Sequence, residues 1–251
     1  MFRARARDGE GNLTALERVS IDVAPGEFVS VLGPSGCGKS TLLRCVAGLE
    51  RPTTGGVWVG AERVTAPPRG LGMVFQRDAL LEWRTVTANL MLPVEFRGGR
   101  RGDFEQRARE LLALFGLTGF EQSFPAQLSG GMRQRASICR ALIDDPELLL
   151  MDEPFGALDA LTRDQLNIEL QRMWLGNHKT VLFVTHSIAE AVFLADRVVV
   201  FTPRPGRIAE ILEIDLPRPR RLVLRGEPRF VGYVNHIRSL FEQMGLLKED
   251  A

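Results

Sequence analysis

The run Gly33-Pro34-Ser35-Gly36-Cys37-Gly38-Lys39-Ser40 sets glycines, one lysine and one hydroxyl at spacings suited to gripping phosphate. It fits G-x-x-x-x-G-K-[ST], the P-loop pattern. Glycines let backbone N–H groups curl around phosphate oxygens, and a helix beginning at Lys39 aims its positive end at them. Lys39 would neutralise the β- and γ-phosphates of a nucleotide, and the Ser40 hydroxyl would ligate Mg2+. The loop extends through Thr41. A chain of this length matches the pattern by chance on the order of one time in a hundred, given average residue frequencies. The required context, an apolar strand before and a helix after, is present. The loop marks a nucleotide-binding protein without saying which kind.

Several other groups could do chemistry, each ambiguous alone. Asp152 and Glu153 follow the apolar run Leu148-Leu149-Leu150-Met151. Adjacent acids after a strand often form only a solvated turn, but here the strand delivers them to the sheet edge where α/β folds bind ligands. Ser129-Gly130-Gly131 precedes a helix and is either an ordinary serine N-cap or an anion site at a helix N-terminus. Gln76 after a strand, Asp159 in Ala157-Leu158-Asp159, and His186 carry little weight singly.

Their fixed order along the chain carries the weight. From about Thr14 to Phe201 the sequence resembles the ATPase subunit of an ABC transporter. Gln76 stands where that family has its Q-loop glutamine, implying contact with Mg2+ and the attacking water and sensing of the membrane partner. Leu128-Ser129-Gly130-Gly131-Met132 is similar to the LSGGQ signature, with Met132 in place of the usual Gln. The resemblance implies that Ser129, Gly130 and Gly131 close over the γ-phosphate of ATP held by a second copy. Leu148 to Glu153 looks like the Walker B strand, in which Asp152 holds Mg2+ through water and Glu153 is the general base. Asp159 matches the D-loop, which touches the partner subunit, and His186 the switch histidine that contacts the γ-phosphate. The family also stacks an aromatic on adenine upstream of the P-loop. The best candidate is Phe2, which has only Met1 before it and should fray.

The resemblance implies ATP and Mg2+ as cofactors and a homodimer in the working complex. It also implies two permease subunits in the membrane, an extracytoplasmic substrate-binding protein, and a peripheral place on the cytoplasmic face of the membrane. Pro203-Arg204-Pro205-Gly206-Arg207-Ile208, Met151 to Leu161, and Asp196-Arg197 look like the nitrate, sulfonate and taurine import subfamily. By residue chemistry the first of these is a Pro/Gly turn with solvated arginines. A soluble ABC protein of translation or DNA repair would carry two cassettes or a long coiled-coil insertion, and neither is visible. A P-loop kinase or GTPase would lack Ser129-Gly130-Gly131 and His186 in their slots.

The elements that must position these residues alternate between strand and helix, which predicts an α/β sheet. Strands are expected at Glu27–Leu32, Val57–Val59, Met73–Phe75, Leu148–Met151, Thr180–Thr185 and Arg197–Phe201, with a helix over Lys39–Ala47. Asp103 with Gln106 reads as an Asp-initiated capping box opening a helix whose face carries Ala108, Leu111, Leu112 and Phe115. The expected architecture is a P-loop NTPase (RecA-like) mixed-sheet core with an inserted helical subdomain, the ABC ATPase fold, forming one domain over 1–251. Residues 1–76 and 136–210 form the nucleotide-binding core and 77–135 the helical subdomain. The chain after Phe201, rich in Pro and Arg, reads as irregular before a last helix near Val231–Met244, with 211–251 as a C-terminal tail. Within Leu80-Leu81-Glu82-Trp83-Arg84-Thr85-Val86 the apolar residues are expected to pack the insertion, with Trp83 a candidate anchor for a permease helix.

Composition bounds the rest. The 251 residues are 45% hydrophobic and 25% charged, with a formal net charge of +1, an ordinary globular balance without the strongly basic surface of a nucleic-acid binder. No apolar run approaches the roughly 18 residues of a membrane helix. The three cysteines show no paired spacing and suit reduced thiols in the cytosol. Cys37 reads as a small filler of the loop, with the added expectation that bulky thiol reagents block ATP binding.

Overall fold

Short runs rich in Val, Leu and Phe, bounded by Gly, Pro or Asp, become the strands, and the segments with helical spacing or a Ser, Thr or Asp cap become the helices. The computed structural model describes residues 2–4 and 13–247, with side chains from residue 14. The strands are β1 (Phe2–Ala4), β2 (Leu13–Leu16), β3 (Phe28–Leu32), β4 (Trp58–Val59), β5 (Glu62–Arg63), β6 (Leu71–Val74), β7 (Leu148–Asp152), β8 (Thr180–Thr185), β9 (Arg197–Phe201) and β10 (Ile208–Glu213). The helices are α1 (Lys39–Val46), α2 (Val86–Leu90), α3 (Leu92–Phe96), α4 (Glu105–Leu114), α5 (Gly130–Leu142), α6 (Ala160–Asn177), α7 (Ile188–Leu194) and α8 (Pro228–Gln243). Two compact units result, one from residues up to 69 and from 180 onward, the other from residues 70–179.

In the first unit β3 is central, parallel to β8 on one side and to β9 on the other. All five β3 residues are buried, as a parallel strand covered on both faces requires, and an unbroken apolar run is its signature. β10 adds antiparallel to β9, making the sheet mixed. It also corrects the expectation of an irregular tail, because Ile208–Glu213 pairs with Arg197–Phe201, the register shifting by one residue between Ile208 and Glu210. The period-2 signal is broken there: Ile211 is exposed, while Glu210 faces His236 at 2.9 Å. β1 pairs antiparallel with β2, setting Phe2 opposite Leu16.

In the second unit β6 and β7 are parallel, with Leu71 opposite Leu148 and Val74 opposite Met151. Everything between these strands is helix, turn or loop. Gly72 is required in β6, since a Cβ there would collide with the Ala141 carbonyl and the Pro146 ring. Ala108, Leu111, Leu112 and Phe115 are buried as their spacing predicts. The Asp103 capping box does not form. A 3-10 turn over Arg101–Phe104 leads into α4, neither start carries a side-chain cap, and Gln106 instead donates to Glu110 at 2.8 Å. Asp159 caps α6, accepting from Thr162 N at 3.0 Å. No described helix is long and apolar enough to cross a membrane.

Candidate functional site

The phosphate loop lies between the buried end of β3 and the start of α1. Gly33 cannot be replaced cheaply, because a Cβ would sit 2.9 Å from the Phe201 Cβ and 3.2 Å from its carbonyl oxygen. Gly36 and Gly38 have φ of 78° and 101°, a region that costs most side chains about 1–2 kcal/mol. A Cβ on Gly38 would also meet the Leu16 side chain at 2.7 Å and the Ala15 carbonyl at 2.9 Å. Pro34 closes a turn, its carbonyl accepting from Cys37 N at 3.4 Å. Ser35 and Gly36 are exposed, while Ser40 and Thr41 on the first turn of α1 are half-buried.

Lys39 is 4% exposed. Its ammonium donates to the carbonyls of Gly33 at 2.8 Å and Pro34 at 3.0 Å, so the loop folds back over its own cation. The N-cap, Gly38, makes no side-chain bond to the first turn of α1. At Gly36 the loop is open, since a Cβ there would have no atom within 4 Å. An open loop beside a lysine ammonium and a helix N-terminus without a side-chain cap fits a nucleotide phosphate chain.

Cys37 is 1% exposed and its Sγ lies 3.0 Å from where a Gly33 Cβ would be. It fills the underside of the loop. The thiol presents almost no surface to the bulky reagents expected to block ATP binding through it. Sequence reasoning missed the floor beneath it. Gly206 packs against the Cys37 carbonyl so closely that a Cβ would overlap it, and its backbone bonds to Ala15 and Glu17 at 2.9 Å each. Arg207 is held by Glu17 at 2.7 Å, and its side-chain bond draws the Glu17 carboxyl below its usual range. The Pro/Gly turn thus supports the phosphate loop, and only the turn chemistry of Pro205-Gly206 signalled it.

His186 follows β8 and is exposed. The residues beside it are fixed: Thr185 Oγ1 donates to Glu190 Oε2 at 2.6 Å and accepts from Ser187 N at 3.0 Å. Ser187 Oγ accepts from Glu190 N at 3.4 Å, which caps α7. The Phe2 side chain, expected to stack on adenine, lies outside the described residues; its backbone belongs to β1.

In the second unit, Asp152 ends β7 and Glu153 follows with φ of 45°, a left-handed conformation that non-glycine residues rarely adopt. Strain of this kind clusters at functional positions. Gln76, two residues beyond β6, donates from Nε2 to Glu153 Oε2 at 3.3 Å. The parallel pairing of β6 with β7 brings these distant residues together. Asp78 and Ala79, just past Gln76, are tied to α5: Arg133 donates to Asp78 Oδ2 at 3.1 Å, and Arg140 to the carbonyls of Asp78 and Ala79 at 2.8 and 2.7 Å. Ala79 is itself left-handed, at φ 48°. Arg133 also donates to the Leu128 carbonyl at 3.1 Å, and neither arginine was legible as a brace, because bonds that end on backbone carbonyls leave no pattern.

Ser129 caps α5, accepting from Met132 N at 3.3 Å, and Gly130 is exposed. A Cβ on Gly131 would meet Thr162 Cγ2 at 2.7 Å. Thr162 is also the partner of Asp159, whose carboxyl is held below its usual range by the Thr162 hydroxyl and backbone N–H. The Ser129–Gly131 and Asp159 motifs therefore meet on one residue. Trp83 is 73% exposed while Leu80 and Val86 are buried, so the apolar residues of that segment pack inward and the tryptophan does not. No group of three His, Cys, Asp or Glu among the described residues could hold a metal ion. A Mg2+ here would take phosphate oxygens and water among its ligands, its usual habit beside a nucleotide.

A P-loop, two strand-delivered acids and a glycine-rich helix start on a mixed α/β fold define an ATP-binding cassette. The family model described as "ABC transporter" matches residues 16–156. An uncharacterized ABC transporter ATP-binding protein of Methanocaldococcus jannaschii is 52% identical over 82% of this chain and 77% of its own length. A taurine import ATP-binding protein of Rhizobium johnstonii is 48% identical over 86% of this chain and 82% of its own. Among solved structures, a dimeric ATP-binding cassette in a post-hydrolysis state with ADP and Pi is similar with a TM-score of 0.75 and 31% identity, over 86% of this chain and 97% of that one. The chain belongs to the ABC transporter family. It is that family's ATP-binding, ATP-hydrolysing cassette.

Proposed function

We propose that this ATPase energises the import of a small anion of the nitrate, sulfonate and taurine class. Two copies sandwich two ATP molecules against a pair of membrane permease subunits, and hydrolysis reopens the sandwich. An extracytoplasmic binding protein delivers the substrate, and the cassette is peripheral to the cytoplasmic face of the membrane. The observation carrying the ATPase reading is the phosphate loop, whose buried Lys39 is held at the Gly33 and Pro34 carbonyls beside a helix start without a side-chain cap. The transport direction and substrate class rest on the import protein's likeness and on the subfamily-like segments at 203–208 and 151–161.

Each residue has a role in this proposal. The backbone of Gly33 to Gly38 and the Lys39 ammonium bind the phosphates. Ser40, Asp152 and Gln76 hold Mg2+ directly or through water. Glu153 takes the proton of the attacking water, His186 contacts the γ-phosphate, and Phe2 stacks on adenine. Ser129, Gly130, Gly131 and Asp159 act across the dimer. Residues 1–76 and 136–210 serve as the core and 77–135 as a helical subdomain, supported by the absence of any strand between Val74 and Leu148. The test is purification of the chain from its host under mild detergent. Recovery of apolar permease subunits, with phosphate release stimulated by a loaded sulfonate-binding protein, is expected. Recovery of the chain alone, with turnover indifferent to the receptor, overturns the importer assignment.

A further inference from the structure

Helix α7 is seven residues long, and its C-terminal end is closed entirely by the tail. Four carbonyls at the end of such a helix lack an intrahelical partner. Arg220, 3% exposed, donates from Nη1 to the carbonyls of Val192 at 2.9 Å, Phe193 at 3.1 Å and Ala195 at 2.8 Å. Arg218 takes the remaining one, Leu194, at 2.6 Å, and also grips Asp196 Oδ1 at 2.8 Å. Asp196 in turn accepts from the Phe28 backbone N–H at 2.9 Å, which ties the arrangement to β3. The other side of the Arg220 guanidinium donates to Ile214 and Leu216. Burial pulls its pKa down to about 10, still far above neutrality, so it caps as a cation.

Two guanidinium groups at a helix C-terminus also meet the negative end of the helix dipole. The opposite end of α7 carries the Thr185–Ser187–Glu190 bracket, and His186 sits inside it. Ala191 to Leu194 are fully buried, so a shift of α7 would disturb close packing. Its position is therefore set from the two ends: one holds His186, the other is held by residues more than 20 positions after the last strand-delivered motif.

From this geometry we infer that Arg220 is a positioning residue for His186. The tail fixes α7, and α7 fixes the reach of His186 toward the γ-phosphate. The inference rests on the γ-phosphate role proposed for His186. It makes the tail part of the hydrolytic machinery through α7.

The test is a double-mutant cycle on the full chain with Arg220→Lys and His186→Ala, reading phosphate release, affinity for a non-hydrolysable ATP analogue and thermal melting. Arg220→Lys keeps the charge but loses the fork, and turnover should fall about tenfold while analogue affinity stays within about twofold. The double variant should match His186→Ala alone, because a residue that acts through another adds nothing once the other is gone. Losses that multiply, or normal turnover in Arg220→Lys, overturn the inference and leave the His186 role standing. Normal turnover in His186→Ala removes that role, and the inference falls with it. Should Arg220→Lys fail to fold, Arg218→Lys enters the same cycle with the same outcomes.

Discussion

The phosphate loop and the carboxyl end of β7 solve different problems with different materials. The loop is built from backbone: its glycines are fixed by close approach and positive φ, and its one charged side chain is buried and held by the loop's own carbonyls. The end of β7 is built from side chains. Glu153 is half-buried, left-handed and accepts a bond from Gln76. A backbone-made site grips whatever its shape admits, whereas a side-chain-made site acts only when its groups point correctly. Binding should therefore fail through the loop and chemistry through β7.

Glu153→Gln should separate the two regions most widely. Removing a general base costs on the order of a hundred- to ten-thousand-fold. Turnover should fall by that order while affinity for ATP, measured by fluorescent-nucleotide titration, stays near the unmodified value. Turnover within tenfold of the unmodified protein would take the base role from Glu153.

Lys39→Ala probes the other side. A charge-assisted bond to phosphate contributes about 1.5–3 kcal/mol, so nucleotide affinity should drop roughly ten- to a hundredfold. The same titration checks it, and an unchanged dissociation constant would mean that Lys39 stays with the Gly33 and Pro34 carbonyls when nucleotide binds. Gln76→Ala should be milder. It removes the bond to Glu153 and, in the proposed role, one hold on Mg2+ among several, so turnover should fall about tenfold while affinity changes less than about threefold. A larger fall in affinity than in turnover would make binding, through the metal, the main work of Gln76.

The same contrast explains what the sequence made legible. Glycines in the loop, the Ser129 cap and the apolar strands at 180–185 and 197–201 follow from local steric rules that leave a residue-type signature. β10 does not, because its covered side includes Glu210 and its open side Ile211. Arg133, Arg140, Arg218 and Arg220 were invisible for a different reason. Each ends wholly or partly on backbone carbonyls, which every residue type supplies, so nothing marks the partner. Arg218 and Arg220 gain their meaning only from the α7 carbonyls that they cap. Asp103 erred the opposite way: its spacing to Gln106 suited a cap, but the chain entered α4 through a 3-10 turn, and Gln106 found Glu110.

Cys37 should give the smallest effect, and it tests the contrast from inside the loop. If the loop works by backbone, the side chain at 37 matters only as filler. Its Sγ packs beside Gly33, and its carbonyl rests on Gly206. Cys37→Ala should cost about 1 kcal/mol in folding through the small void it opens, while nucleotide affinity changes less than about threefold, since the N–H groups offered to phosphate are unaltered. Titration with a thiol reagent should find all three cysteines slow in the folded state. Each is buried, and Cys45 is additionally held in the thiol form by burial, its pKa pushed up to about 11. Fast labelling of Cys37, slowed by ATP, would show instead that the loop opens enough in solution to expose its underside, and the loop would then have to be ranked with β7 as a site that must be closed before it works.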